Sequence, residues 1–245
     1  MRDKFNHILS IDQFSAQDIN NFLDTVLKFE EDSAAYVDQL KGSILATLFF
    51  EASTRTRLSF ESAMFRLGGQ VITVEDGNSS SIKKGETLED MGKVVSHYAD
   101  IIVVRHPDPL SCNKIACRSD VPVINAGDGG REHPTQALLD LYTIRKQKKQ
   151  FDGLKIGFFG DLKYARSANS TIKALAQFDT SFMFISHDGL ELSDDLKTSL
   201  SDKPCTFLSV DQLDEALKVC DVLYVTRLQK ERLLADQKAA NVTVL

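Results

Sequence analysis

Five consecutive residues, Ser53, Thr54, Arg55, Thr56 and Arg57, concentrate three hydroxyls and two guanidinium groups. Both groups donate to oxyanions, and the planar fork of arginine matches phosphate oxygens. The pentapeptide lies between an apolar run at 44–50, which has the composition of a buried strand, and a segment at 54–67. In that segment Leu58, Met64, Phe65 and Leu67 can share one side of a helix. Ser53 or Thr54 is expected to cap the helix, whose first turn leaves N–H groups unpaired and carries a partial positive charge. A strand-to-helix turn of this kind is an anion site. A capped helix with Arg57 paired to Glu61 would explain one hydroxyl and one arginine, but not the whole cluster.

Further polar residues follow apolar runs elsewhere. Arg105-His106-Pro107 comes after 101–104. His133-Pro134-Thr135-Gln136 opens a helix expected to run to about 148, with Pro134 at a permitted first-turn position. There an imidazole and an amide can meet one ligand, and the helix N-terminus lowers the imidazole pKa and favours its neutral form. Ser80, Lys83 and Lys84 lie in a stretch at 76–85 with almost no apolar content, read as an exposed loop. Arg166 follows the run 154–159 and Gly160-Asp161, and Arg227 and Gln229 follow 222–226. Gly157-Phe-Phe-Gly160 lacks the spacing of a dinucleotide fingerprint, so no nucleotide cofactor is indicated.

These residues need elements to position them. Strands are expected at 43–50, 71–74, 101–104, 121–125, 154–159, 181–186 and 222–226, with a further one near 242–245. Helices are expected at 15–31, 54–67, 86–98 with Leu88, Met91, Val94 and Val95 inward, 133–148, 166–177 and 211–218. The alternation and the apolar strands imply an α/β protein. Two domains, each a parallel sheet flanked by helices, would span 1–133 and 151–245, joined by a long helix at 134–150. The cationic residues then recur past the carboxyl ends of strands, where open parallel sheets bind ligands.

Composition narrows the class. The chain has 245 residues, 42% of them hydrophobic, and a net charge of −6, so a sizeable core can form. No long basic block exists to neutralise nucleic acid phosphates, and no apolar run approaches a membrane span. Cys112, Cys117, Cys205 and Cys220 show no Cys-x-x-Cys spacing, and the five histidines do not bracket them as metal ligands would. With no secretory core after Met1, they are expected to be reduced thiols of a cytoplasmic protein without metal or cofactor.

The Ser53–Arg57 pentapeptide after a strand resembles the carbamoyl phosphate-binding signature of the aspartate and ornithine carbamoyltransferases, and the resemblance runs from about Ile8 to the end of the chain. His133-Pro134-Thr135-Gln136 is similar to the family's His-Pro-Thr-Gln, and Thr135 points to the aspartate branch, because the ornithine branch usually carries Cys there. The stretch from Ser80 to Lys84 resembles the aspartate-branch loop that reaches a neighbouring subunit's site. The stretch from Gly160 through Ser167 is similar to the family's Gly-Asp-Leu-Lys-Tyr-Gly-Arg-Thr, with Ala165 for Gly, Ser167 for Thr, and Asn169 where His is usual. Arg227-Leu-Gln229-Lys-Glu-Arg232 matches the family's Arg-x-Gln-x-Glu-Arg.

The resemblance implies transfer of a carbamoyl group from carbamoyl phosphate to L-aspartate in pyrimidine synthesis, by a homotrimer with shared sites that regulatory chains can join. It implies carbamoyl phosphate contacts from Ser53, Thr54, Arg55, Thr56, Ser80, Arg105, His133 and Gln136. It implies aspartate contacts from Lys84, Arg166, Arg227 and Gln229, and catalytic roles for Arg55, Thr56, Lys84, Arg105 and His133. Two alternatives stay open: an ornithine carbamoyltransferase, against which Arg227 and Lys84 speak, and a catalytically silent homologue that binds anions or partners. Family members continue for some tens of residues past a position like Leu245, through a His-Pro-Leu-Pro loop absent from this sequence. A polypeptide ending at Leu245 is therefore expected to bind carbamoyl phosphate weakly and to turn over slowly.

Overall fold

The computed structural model describes residues 6–75 and 85–228. The expected loop at 76–85, all but Gly85, and the expected strand near 242–245 lie outside the described residues. The chain divides into two compact units, Met1–Leu138 and Leu139–Leu245.

In the first unit, α1 (Ala16–Glu31) starts at a capping box in which Ser15 and Asp18 satisfy each other's backbone N–H groups. The chain then runs through β1 (Ile44–Phe49), α2 (Thr54–Arg66), β2 (Gln70–Glu75), α3 (Leu88–Val95), β3 (Ile101–His106), α4 (Ser111–Ala116), β4 (Val123–Asp128) and α5 (Pro134–Lys148). The division between the units falls within α5. The four strands are parallel, in the order β2-β1-β3-β4. Residues 7–9 extend the sheet beyond β4, with Ile8 bridging Ile124. Alternation along the central strands buries both faces. Ala46, Leu48, Ile102 and Val104 pack with Met91 and Ile115, whereas Leu45, Phe49 and Val103 pack with Met64.

The second unit continues with β5 (Lys155–Phe159), α6 (Arg166–Leu175), β6 (Ser181–Ser186), α7 (Asp194–Ser199), β7 (Cys205–Ser209), α8 (Leu213–Leu217) and β8 (Val222–Val225). Its sheet is again parallel, in the order β7-β6-β5-β8. Register matches Phe207 to Phe184, Phe184 to Phe158, and Phe158 to Tyr224. Their ring centroids are 5.4, 6.0 and 5.2 Å apart, so one aromatic row crosses all four strands.

Three expectations are corrected. Leu58 and Phe65 do not join Met64 in the core; they are 51% and 60% exposed on the outer side of α2. Met64 fills the inner side with half-buried Phe60, and Gly69 leaves room for its thioether. Val94 is exposed as well, because α3 is shorter than 86–98 and turns only Met91 and Gly92 fully inward. β3 extends through Arg105 and His106, so Arg105 belongs to a strand and not to the loop after it.

Gly92 is where α3 meets α4. A Cβ there would stand 2.1 Å from the carbonyl oxygen of Ile115. Alanine would gain about 1 kcal/mol of helix propensity, but a backbone oxygen cannot rotate away, and overpacking costs about 1–3 kcal/mol or more. Gly92→Ala is expected to destabilise the chain by about 2 kcal/mol, read as a lower denaturation midpoint. An unchanged or raised midpoint would mean that the two helices part without cost.

Candidate functional site

Each sheet reverses its winding once. In the first unit β2 lies on one side of β1 and β3 on the other, so the crevice at the carboxyl ends of β1 and β3 is a switch point. In the second unit β6 and β8 flank β5, which puts the switch point at the ends of β5 and β8. Several of the polar residues singled out above emerge at these two places. Ser53–Arg57 follows β1 and Arg105 is the penultimate residue of β3, while Arg166 follows β5 and Arg227 follows β8.

At the first switch point Ser53 occupies the N-cap position of α2, but its hydroxyl makes no capping hydrogen bond. The first-turn N–H groups therefore keep their capacity for an external acceptor. A cavity of about 400 Å³ opens there, lined by Phe49, Phe50, Glu51, Ala52, Ser53, Thr54, Arg57 and Glu75. The two arginines of the pentapeptide diverge. Arg57 pairs with Glu75 across the cavity and lies 3.7 Å from Glu61. Glu61 in turn accepts from Thr73 at 3.0 Å and from buried Thr47 at 3.2 Å, tying α2 to β1 and β2. Arg55 is exposed and lines the neighbouring groove with Leu58, Ser59 and Phe65.

Arg105 lies within 3.2 Å of Glu51 and donates to the Ala126 carbonyl at 3.4 Å, so its guanidinium is held beside the turn. The next residue, His106, is buried edge-on against Phe50 and accepts at Nδ1 from the Asp108 N–H. Burial lowers its pKa against the opposing pull of Asp108 and Glu51.

His133 is buried at the start of α5, where its carbonyl accepts from the N–H groups of Gln136 and Ala137. Its Nδ1 lies 3.5 Å from the Thr135 hydroxyl. The loop before it hangs on buried acids. Asp128 accepts from Asn125, Leu110 and Arg131, and Glu132 accepts from Ser10 at 3.3 Å and, more weakly, from the Ile11 N–H. Buried carboxylates need such donors. These acids and Glu51 were not among the residues picked from the sequence. The signal for Asp128 and Glu132 was acids within a glycine-rich turn after a strand, as in Ala126-Gly-Asp128-Gly-Gly-Arg-Glu132.

In the second unit Gly160 takes φ +117°, and a Cβ on it would stand 2.6 Å from the Thr226 hydroxyl. Thr226 donates to the Asp161 carbonyl at 3.0 Å, which bolts the exits of β5 and β8 together. Arg166 is buried as the first residue of α6, and Arg227 is exposed. Tyr224 donates to Asp140 at 3.0 Å, and burial, then Asp140, push its phenol well above the usual value. Ser80, Lys84 and Gln229 lie outside the described residues.

The sequence matches the family described as "Aspartate/ornithine carbamoyltransferase, carbamoyl-P binding domain" over residues 6–146. The aspartate carbamoyltransferase catalytic subunit of Methanocaldococcus jannaschii is 48% identical over 229 residues, covering 92% of this chain and 75% of that one. The solved catalytic subunit of M. jannaschii aspartate transcarbamoylase superposes with a TM-score of 0.86 at 46% identity, covering 97% of this chain and 79% of that one. The Trypanosoma cruzi aspartate transcarbamoylase in complex with carbamoyl phosphate and aspartate superposes with a TM-score of 0.86 at 37% identity, covering 97% and 77%.

The different settings of the two arginines separate in a stability measurement. Arg57→Ala breaks the link from α2 to Glu75 on β2, and the pairing with Glu61 one turn on, and is expected to lower the unfolding free energy by about 1 kcal/mol. Arg55→Ala removes an exposed side chain and should change it by less than about 0.5 kcal/mol. Chemical denaturation of both variants checks this, and equal losses would contradict the division of labour.

Proposed function

Because the chain belongs to the aspartate/ornithine carbamoyltransferase family, we propose that its two switch points bind the two substrates of one carbamoyl transfer, carbamoyl phosphate at the first and L-aspartate at the second. The first unit is then the carbamoyl phosphate-binding domain and the second the aspartate-binding domain, and the transfer is an early step of pyrimidine synthesis. The observation that carries the reading is the uncapped N-terminus of α2 beside Arg105, at the ends of adjacent strands. The turn presents hydroxyls and backbone N–H groups to the cavity, and Glu51, which lines it, holds the Arg105 guanidinium alongside.

Both substrates are anions, and the chain itself carries a net charge of −6. Cations must therefore be concentrated locally, and Arg55, Lys84, Arg105, Arg166 and Arg227 fill that role. Ser53, Thr54, Arg55 and Thr56 hold the phosphate, with Ser80 contributing from its loop. The phosphate competes with Glu51 for Arg105, a short-range exchange of one anion for another.

The α-amino group of aspartate attacks the carbamoyl carbon, and negative charge grows on the carbonyl oxygen. Thr56, Arg105 and neutral His133 donate to it, and Gln136 accepts from the carbamoyl NH2. The C–O bond to phosphate breaks, and the departing phosphate takes the amine proton. Glu75 is committed to Arg57, and the departing phosphate serves as the base. Orientation and charge stabilisation supply most of the rate. Arg166, Arg227 and Gln229 hold the carboxylates of aspartate.

A homotrimer with shared sites fits the outer face of α2. There the exposed Leu58 and Phe65 adjoin Arg55 in a groove that a second copy, bringing its Lys84, would cover. No helix among the described residues is long and apolar enough to cross a membrane. The four cysteines are free, as reduced cytoplasmic thiols would be.

Arg227→Ala is expected to raise the KM for aspartate far more than that for carbamoyl phosphate. Loss of a charge-assisted contact to a carboxylate removes on the order of 2–4 kcal/mol of transition-state stabilisation, roughly 30-fold to 1,000-fold in kcat/KM. Steady-state assay with each substrate varied in turn decides it, and equal turnover of L-ornithine by the unaltered chain would overturn the assignment. For the shared site, Arg55→Ala and Lys84→Ala chains should each be nearly inactive and regain part of the activity when mixed and reassembled. If mixed trimers form and no activity returns, both residues act within one chain.

A further inference from the structure

One half-buried polar cluster of the second unit takes no part in the chemistry above. The aromatic row across the sheet ends at Tyr224, whose ring packs on Phe158 at 5.2 Å. Past the row its hydroxyl donates to Oδ2 of Asp140, on α5, at 3.0 Å. The same oxygen accepts from the hydroxyl of Thr171, on α6, at 2.9 Å. Ser167, also on α6, acts on the same phenol, lowering its pKa against burial and Asp140. A single carboxylate oxygen thus gathers α5, α6 and β8. The cluster adjoins the candidate cations: Thr171 lies on α6, which Arg166 begins, and Tyr224 stands three positions before Arg227 on a strand whose exit is fixed by Thr226. Serine at 167, where the family has threonine, keeps the hydroxyl that the cluster needs.

We infer that Asp140 is a positioning residue for the acceptor half of the site, setting the spacing of Arg166 and Arg227 through its shared hydrogen bonds to Thr171 and Tyr224. The inference rests on the reading of those arginines as the acceptor's carboxylate contacts. Two carboxylates of one small molecule must meet two guanidinium groups at once, so the spacing of those groups matters more than their mere presence. A carboxylate suits the junction because it accepts from two hydroxyls without needing a proton of its own. An amide at this place can accept equally well through its oxygen, whereas a methyl group leaves both hydroxyls without their acceptor.

The experiment compares Asp140→Asn, Asp140→Ala and Tyr224→Phe in the full chain. Asp140→Ala is expected to raise the KM for L-aspartate roughly tenfold while the KM for carbamoyl phosphate stays within about twofold. Tyr224→Phe, which removes one hydroxyl and keeps the ring in the aromatic row, should reproduce part of the effect. Asp140→Asn should restore most of the wild-type value. Equal rises in both KM values, or a fall in melting temperature with both unchanged, would reduce Asp140 to a structural residue and overturn the inference.

Amide hydrogen exchange provides a readout that does not depend on the substrate. Faster exchange in Asp140→Ala at residues 166–169 and 226–227, with the first unit unaltered, is expected even if L-aspartate proves not to be the acceptor. That outcome would retain the clamp and reject the substrate reading. Unchanged exchange at those amides would reject the clamp itself.

Discussion

A parallel sheet forces all its strand-to-helix turns onto one edge. Each strand delivers its carboxyl end there, and each following helix begins there with unpaired N–H groups pointing outward. Such an edge is rich in donors before any side chain is chosen. The reversal of winding then opens a space between two neighbouring turns, at β1 and β3 in one unit and at β5 and β8 in the other. Much of the remaining structure keeps those turns in place. The Thr47–Glu61–Thr73 contacts hold α2 to its sheet, the buried acids hold the loop to His133, and the close approach of Gly160 to Thr226 holds the second pair of exits.

An acidic chain that collects anions must keep its arginines extended and desolvated without letting them collapse onto the surface. Carboxylates already inside the first crevice do this. Glu51 engages Arg105, and Glu75 and Glu61 engage Arg57. The two cases differ in what surrounds them. Arg57 is further tied through Glu61 to the hydroxyls of β1 and β2, so it belongs to the frame. Glu51 stands in the turn itself, lining the cavity at the N-terminus of α2.

The sequence was most informative where local chemistry decides the structure. Ser15 and Asp18 announced a capped helix, and the apolar run at 44–50 followed by Ser53 and Thr54 marked the first strand-to-helix turn within a residue. It was least informative where two faces competed. Leu58 and Phe65 fit the helical period of α2 as well as Met64 does, and only the sheet beneath decides which side faces inward. The helix α4 was missed because it has only six residues and starts after Leu110, a left-handed residue with no capping side chain. β7 was missed because Cys205-Thr-Phe-Leu-Ser209 is a short edge strand with a largely exposed pattern. The switch points could not be read at all, since strand order is not a local property. Arg105, Arg166 and Arg227 were placed past strand ends from the sequence, but their grouping in pairs follows from the order of the strands. Asp140 gave no sign of its role, because a lone acid in a helix normally faces water.

The phenol of Tyr224 has a consequence for the pH range in which the second unit holds together. Folding keeps its proton on, through burial and then through Asp140, whereas an unfolded tyrosine ionises near its ordinary value of about 10. The native state therefore binds the proton more tightly than the unfolded state does. The stabilisation is complete below that ordinary value and drains away as the pH climbs above it. Most folded proteins are weakest toward acid, where paired carboxylates must be neutralised. Here the junction of α5, α6 and β8 is weakest toward alkali, and a phenolate formed beside the Asp140 carboxylate would drive the two groups apart. Alkaline conditions would loosen the second unit at the cluster beneath its two arginines, while the first unit, whose described contacts include no such phenol, would be spared that particular stress.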